Sequence, residues 1–215
     1  MRLQSAIFDM DGTLLDSMPA WRSLASRTIR RMGGNPAPEL DRTLRAMTVK
    51  QAAVYCREHY GLSCSPEELT ALYLGEMESF YRNEVRAKAG AEKFLSLLQM
   101  EGVWMYVATA TDRPLAEAAL ETAGIRRYFR GIVTTQETGL GKDHPEIYER
   151  ALRRLRSRKE DTVVFEDALY AARTAKAAGF RVAAVYDASM EADQAELKAL
   201  ADYYILSFEE MYEVE

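Results

Sequence analysis

Six short apolar runs recur along this chain, and their spacing limits the folds open to it. They are Ala6-Ile7-Phe8 and residues 103–108, 131–134, 162–165, 182–185 and 203–206. Each is bounded by polar residues or glycine and is rich in β-branched or aromatic side chains, which reads as a strand. None alternates apolar with polar, so burial on both faces is expected, as in a parallel sheet. The last run is expected at an edge. Helical patterns separate the runs. Leu115, Ala118, Ala119, Thr122 and Ala123 recur at helical spacing, and Gly124 stops that helix. Pro145 opens the next, with Ile147, Tyr148, Ala151, Leu152 and Leu155 on one face. Residues 168–178 are alanine-rich and end at Gly179. From about residue 88 onward, helix and strand alternate, which predicts a doubly wound α/β domain.

Residues 17 to about 84 break this rhythm with helical patterns and no convincing strand. Trp21, Leu24, Thr28 and Ile29 share one helical face, and Val49, Ala52, Ala53 and Cys56 share another. Leu69, Leu72, Tyr73, Met77 and Phe80 form a third, behind an N-cap at Ser65 followed by Pro66 and Glu68. The simplest organisation is a core domain of residues 1–16 and 85–215, with a helical cap of residues 17–84 inserted after the first strand.

The bulk properties narrow the function. A net charge of −5 lacks the basic footprint of a nucleic-acid binder. No stretch approaches the roughly 20 apolar residues of a membrane helix, and the first residues do not read as a signal peptide. Cys56 and Cys64 make no disulfide framework and have no zinc-like partners, so structural thiols in a reduced cytoplasmic setting are expected. The basic residues between Arg150 and Lys159 read as a solvated helix face.

Polar residues cluster where the apolar runs end. Asp9-Met10-Asp11-Gly12-Thr13 follows the first run, and carboxyl ends of strands are where α/β folds place ligands. One carboxylate can attack an electrophile, and a second can pass a proton. Gly12 permits a sharp turn and close approach of a phosphate to backbone N–H groups. A solvated Asp-Gly turn between two strands is the plain alternative. Thr109, followed by Ala110, Thr111 and Asp112, offers a hydroxyl and backbone N–H groups entering a helix; Thr111 or Asp112 could serve only as its cap. Lys142 lies in a glycine-flanked loop before a helix, where an ammonium could neutralise phosphate charge or remain a surface lysine. The nearby His144 reads as an exposed loop residue, and His59 is given no role. Glu166-Asp167 ends the fourth run. Mg²⁺ takes about six oxygen ligands, several of them water or phosphate. Asp9, the main-chain carbonyl of Asp11, and Asp167 could supply protein ligands. Several carboxylates beside a phosphate dianion require such a cation.

Together these four clusters resemble the haloacid dehalogenase superfamily of phosphatases and phosphomutases, over nearly the whole chain. The first motif is carried by Phe8-Asp9-Met10-Asp11-Gly12-Thr13-Leu14-Leu15-Asp16-Ser17, and the second by Val107-Ala108-Thr109. The third is Gly141-Lys142 with Pro145-Glu146-Ile147-Tyr148, and the fourth Val163-Val164-Phe165-Glu166-Asp167 with Ala175, Ala178 and Gly179. The resemblance implies a Rossmann-like core with a small all-helical cap that closes over the site and selects substrates. It implies Asp9 as nucleophile and Asp11 as general acid/base. Thr109 and Lys142 would stabilise phosphate and intermediate, with Gly12 and Ala110 also at the phosphate. The metal set would be Asp9, Asp11, Glu166 and Asp167 around Mg²⁺. Three positions depart from the usual pattern: Asp143 replaces proline, Ala168 replaces serine and Ala171 replaces glycine.

Asp11 favours phosphate esters over halide displacement or phosphonate cleavage, whose branches lack a carboxylate there. The mutase branch, similar to β-phosphoglucomutase, shows a Gly-Val-Ser-Arg stretch in the cap. Its counterpart here is Ala46-Met47-Thr48-Val49, with Arg45 or Lys50 as the alternative cation to the missing arginine. The expected activity is an Mg²⁺-dependent phosphatase acting on a small phosphorylated metabolite, of the sugar or polyol class, through an aspartyl-phosphate. A sugar phosphomutase is the alternative, and a non-catalytic binding module the third. Trp21, Arg22, Arg45 and Lys50 are the candidate specificity residues. A monomer is expected.

Overall fold

The computed structural model describes residues 3–44 and 47–211; the expectations for Arg45 and Ala46 fall outside that range. In chain order the elements are β1 (Ser5–Phe8), α1 (Met18–Arg22), α2 (Leu24–Arg31), α3 (Leu40–Thr43), α4 (Val49–Tyr60), α5 (Pro66–Asn83) and α6 (Ala91–Met100). Then follow β2 (Trp104–Thr109), α7 (Arg113–Thr122), β3 (Ile132–Thr134), α8 (Thr135–Thr138), α9 (Glu146–Leu155) and β4 (Thr162–Glu166). The chain ends with α10 (Leu169–Ala177), β5 (Arg181–Val185), α11 (Gln194–Leu200) and β6 (Tyr203–Ile205), and short 3₁₀ turns link several of these. The contacts divide the chain into two compact units, Met1–Asp16 with Val85–Glu215, and Ser17–Glu84.

The first unit is a Rossmann-like α/β fold. Its six strands run in the order β3-β2-β1-β4-β5-β6, every pairing parallel. The short apolar runs are these strands, and both faces are covered, as their lack of alternation predicts. On one face Ile7, Ala108, Val164, Val182 and Ala184 meet Tyr148 and Ala151 of α9, Ala172 and Ala175 of α10, and Leu197 of α11. On the other, Phe8 stacks on Phe165 with ring centroids 4.2 Å apart, and Phe94 of α6 meets both rings edge-on. Because β1 sits between β2 and β4, the strand order reverses about it, and the crevice at the carboxyl ends opens there.

Strand ends differ slightly from the sequence reading. β2 runs on to Thr109 and β4 to Glu166, since their backbones stay in register with β3 and β5. β6 stops at Ile205, leaving Leu206 exposed.

The second unit is helical. Ser65 caps α5 as expected, accepting from Glu68 N–H at 3.1 Å while its own N–H donates to Glu68 Oε2 at 2.7 Å. The buried stripe of α5 is Leu69, Tyr73, Met77 and Tyr81, at a spacing of four; Leu72 faces out, and Phe80 is only half-buried. The continuous face expected from Trp21 to Ile29 is split at Ser23. There the hydroxyl and N–H of Ser23 both donate to Pro19 O, ending α1 before α2 begins. Thr48 and Gln51 form a reciprocal capping box on α4, so Val49 is the first residue of a helix. Among the described residues no helix is long and apolar enough to cross a membrane.

Candidate active site

The loop after β1 is closed by its own backbone. Leu14 and Leu15 N–H groups both donate to Met10 O, and Gly12 N–H donates to Leu15 O at 3.1 Å. Met10, Leu14 and Leu15 are fully buried beneath it. Gly12 adopts φ of +84°, which a side chain would strain. Its N–H is thus engaged within the loop, and Gly12 supplies the turn. The plain alternative of a hairpin turn fails, because β1 pairs with parallel strands on both sides.

This loop directs Asp9 and Thr13 toward the end of β4. Asp9 N–H donates to Phe165 O at 2.9 Å, tying the two strand ends together. Thr13, fully buried, donates its hydroxyl to Asp167 Oδ1 at 3.0 Å. Lys142 is 5% exposed, so it is no surface lysine. Its ammonium donates to Asp9 Oδ1 and, at 2.5 Å, to Glu166 Oε1. Tyr148 OH donates to the same Glu166 oxygen at 3.1 Å. Glu166 Oε2 accepts from the N–H groups of Asp167 and Ala168 at 3.1 and 3.2 Å. Four donors therefore surround Glu166 and fill the sites a carboxylate offers.

The charge inventory is unbalanced. Asp9, Glu166 and Asp167 are all buried, with ligand oxygens within 4.8 Å of one another. Lys142 is the cation that pairs with two of them. Burial would lower the Lys142 ammonium, but Asp9 and Glu166 hold it well above its ordinary range. Burial, then the neighbouring Asp9 and Glu166 charges, pushes Asp167 well above the usual carboxylate range. Burial also raises Glu166, against the pull of Lys142. Buried oxygen donors with excess negative charge fit a hard divalent cation such as Mg²⁺.

Asp11 and Thr109 lie on the β2 side. Thr111 links them: its N–H donates to Thr109 Oγ1 at 3.0 Å and its hydroxyl to Asp11 Oδ2 at 2.8 Å. Thr111 therefore does not cap α7. Asp112 holds the N-cap position without a side-chain cap bond. Ala110 is exposed at the crevice, and its carbonyl accepts from Thr135. Asp143, in place of the usual proline, folds back over Gly141, where an added Cβ would meet its carboxylate at 2.5 Å.

His144 is exposed, while His59 stacks on Tyr55 and bonds its carbonyl. Trp21 donates its indole N–H to Tyr81 OH at 2.9 Å within the helical unit, and Arg22 and Lys50 are exposed. Sequence reasoning placed Tyr148 only on a core face and Thr111 only at a helix start. A tyrosine rather than phenylalanine on that face was the available signal, since a buried phenol seeks a partner.

Comparison with known proteins identifies the family of this fold. Residues 3–179 match the haloacid dehalogenase-like hydrolases. The hexitol phosphatase A of Escherichia coli K12 is 31% identical, over 86% of this chain and 84% of its own. The phosphorylated carbohydrates phosphatase of Thermotoga maritima is 26% identical, over 82% of each chain. A solved structure from Thermotoga maritima, provisionally described as a β-phosphoglucomutase, superposes with a TM-score of 0.86 at 25% identity, covering 97% of this chain and 96% of its own.

Proposed function

We propose that this chain, which belongs to the haloacid dehalogenase-like hydrolase family, is an Mg²⁺-dependent phosphatase that cleaves a small sugar or polyol phosphate through an aspartyl-phosphate on Asp9. The observation that carries the reading is the convergence of Asp9, Lys142, Glu166 and Asp167 at the ends of adjacent parallel strands, with Asp11 beside them. Residues 17–84 serve as the cap and the remainder as the catalytic core.

In the first half-reaction a carboxylate oxygen of Asp9 bonds to phosphorus, and the bond to the leaving oxygen breaks. The departing electron pair takes a proton from Asp11. In the second half, Asp11 removes a proton from water, whose oxygen attacks phosphorus and frees Asp9. The Lys142 ammonium holds Asp9 in place, and offsets charge arriving with the phosphoryl group. Thr109 adds a hydroxyl at the phosphate. Asp9, Asp167 and the Asp11 carbonyl would hold Mg²⁺, joined by Glu166 if one of its four donors yields. The ion supplies charge neutralisation between the carboxylates and the phosphate dianion.

The relatives named as phosphatases of phosphorylated carbohydrates and hexitols support the sugar or polyol class. The overlap with the β-phosphoglucomutase-like structure supports a phosphomutase as second reading. Against it, Val49 stands at the position of the mutase arginine and opens α4 behind the Thr48 capping box. Phosphate release from monophosphates without an added bisphosphate separates the two. Replacing Asp9 by Asn should lower turnover of 4-nitrophenyl phosphate by at least about 10³-fold, because the attacking carboxylate is lost. Activity near wild type would exclude Asp9 as nucleophile.

A further inference from the structure

Thr111 has no part in the chemistry described so far, yet its hydroxyl donates directly to the carboxylate read above as the proton donor. It lies between β2 and α7, one hundred residues from Asp11 in sequence. Its N–H is anchored to Thr109 Oγ1, and its hydroxyl reaches Asp11 Oδ2 at 2.8 Å.

We propose that Thr111 is the positioning residue for Asp11, orienting the carboxyl that delivers a proton to the leaving group and later takes one from water. The inference rests on the hydrolase reading above. A short carboxylate side chain turns about two bonds, and a proton donor works only within hydrogen-bond reach of its target, about 2.6–3.2 Å. Tying one Asp11 oxygen to a partner anchored on β2 removes that freedom. The partner's chemistry also suits the task. A hydroxyl has one donor and two acceptor sites, so it can donate to the carboxylate and accept from the acid. It therefore holds Asp11 in both protonation states and exchanges no proton overall. Asp9 instead meets an ammonium, which has donors only and no acceptor. Two carboxylates two residues apart thus receive partners suited to a nucleophile and to a proton carrier.

The test is the leaving-group dependence of kcat/KM, which reports steps up to departure of the leaving group. Methyl, phenyl and 4-nitrophenyl phosphates are hydrolysed by wild type, Thr111→Val, Thr111→Ser and Asp9→Asn chains with saturating Mg²⁺. Nitrophenolate leaves without a proton, whereas alkoxide needs one. Thr111→Val should lose less than about 3-fold on the nitrophenyl ester and about 10- to 100-fold on the methyl ester, part of the roughly 10²–10⁴-fold that a general acid supplies. Thr111→Ser, which keeps the hydroxyl, should recover most of that loss. Equal losses across the series, or no loss anywhere, would overturn the assignment while leaving the hydrolase reading intact. Wild-type turnover that survives Asp9→Asn would overturn both.

Discussion

Tyr148 and Glu166 hold the strongest residue-scale consequence. Glu166 binds Lys142, and Tyr148 OH shares the same carboxylate oxygen from within the buried face of α9. Tyr148→Phe removes one donor without changing shape or charge. A hydrogen bond to a charged group is worth about 1.5–3 kcal/mol, so stability should fall by about 2 kcal/mol in urea denaturation. Activity should fall less than in Lys142→Ala, because Lys142 still reaches Asp9 directly. An undiminished midpoint would show that the phenol contributes nothing to Glu166. At this scale the sequence was legible where a carboxylate closes a strand, as at Asp9, Glu166 and Asp167, whose oxygens the structure brings together. It was opaque where a hydroxyl's partner lies far along the chain. Thr13 meets Asp167 and Thr111 meets Asp11 only because three strand ends converge. Gly12 was legible as a turn, but the use of its N–H inside the loop depended on where Leu15 folded.

At the scale of elements, the segment of residues 86–88 is strapped in place by a largely buried ion pair. Asp16 N–H donates to Arg86 O and Lys88 N–H to Leu14 O, so residues 86–88 run beside the loop that follows Asp9. The Lys88 ammonium then bonds Tyr186 O at 2.7 Å and Asp187 Oδ2 at 2.9 Å beyond β5. Both side chains are mostly buried, and Asp187 also accepts from Ser189 N–H. Removing one partner of a buried pair typically costs about 3–5 kcal/mol. Lys88→Met should therefore destabilise the chain by about 3 kcal/mol, and Lys88→Met with Asp187→Asn should recover part of it. Additive losses in denaturant titration would rule out a coupled strap. Nothing in the local sequence marks this pair, since an alanine- and glycine-rich stretch and a strand end nearly one hundred residues away have no shared pattern. The strands themselves were legible because parallel-sheet burial writes continuous apolar runs. The helical stripe of α5 was misjudged at Leu72, which faces out, and at Phe80, which is only half-buried.

For the whole molecule, charge balance sets the response to pH and metal. Glu137 feels burial, which would raise it, but Arg113 and Arg154 hold it below the usual carboxylate range. Asp187 and Asp202 are likewise lowered against burial, by Ser189 and Lys88 and by Lys176 and Val182 N–H. Carboxyls depressed in the folded state add stability above their unfolded values, near pH 4. That stability is lost as pH falls through the folded values, so the melting temperature should drop on acidification below about pH 4. A flat profile there would contradict these pairings. Mg²⁺, binding the folded site alone, should raise the melting temperature with concentration, and Asp167→Asn should abolish the rise.

The most direct measurement concerns Asp9 itself. Wild-type chain mixed with a slow aryl phosphate and Mg²⁺ is quenched in acid within one turnover and digested for mass spectrometry. The account predicts a phosphoryl group on the carboxyl of Asp9, absent in the Asp9→Asn chain. Turnover by the wild type with no phosphorylated Asp9 peptide, or the group on another residue, would contradict it.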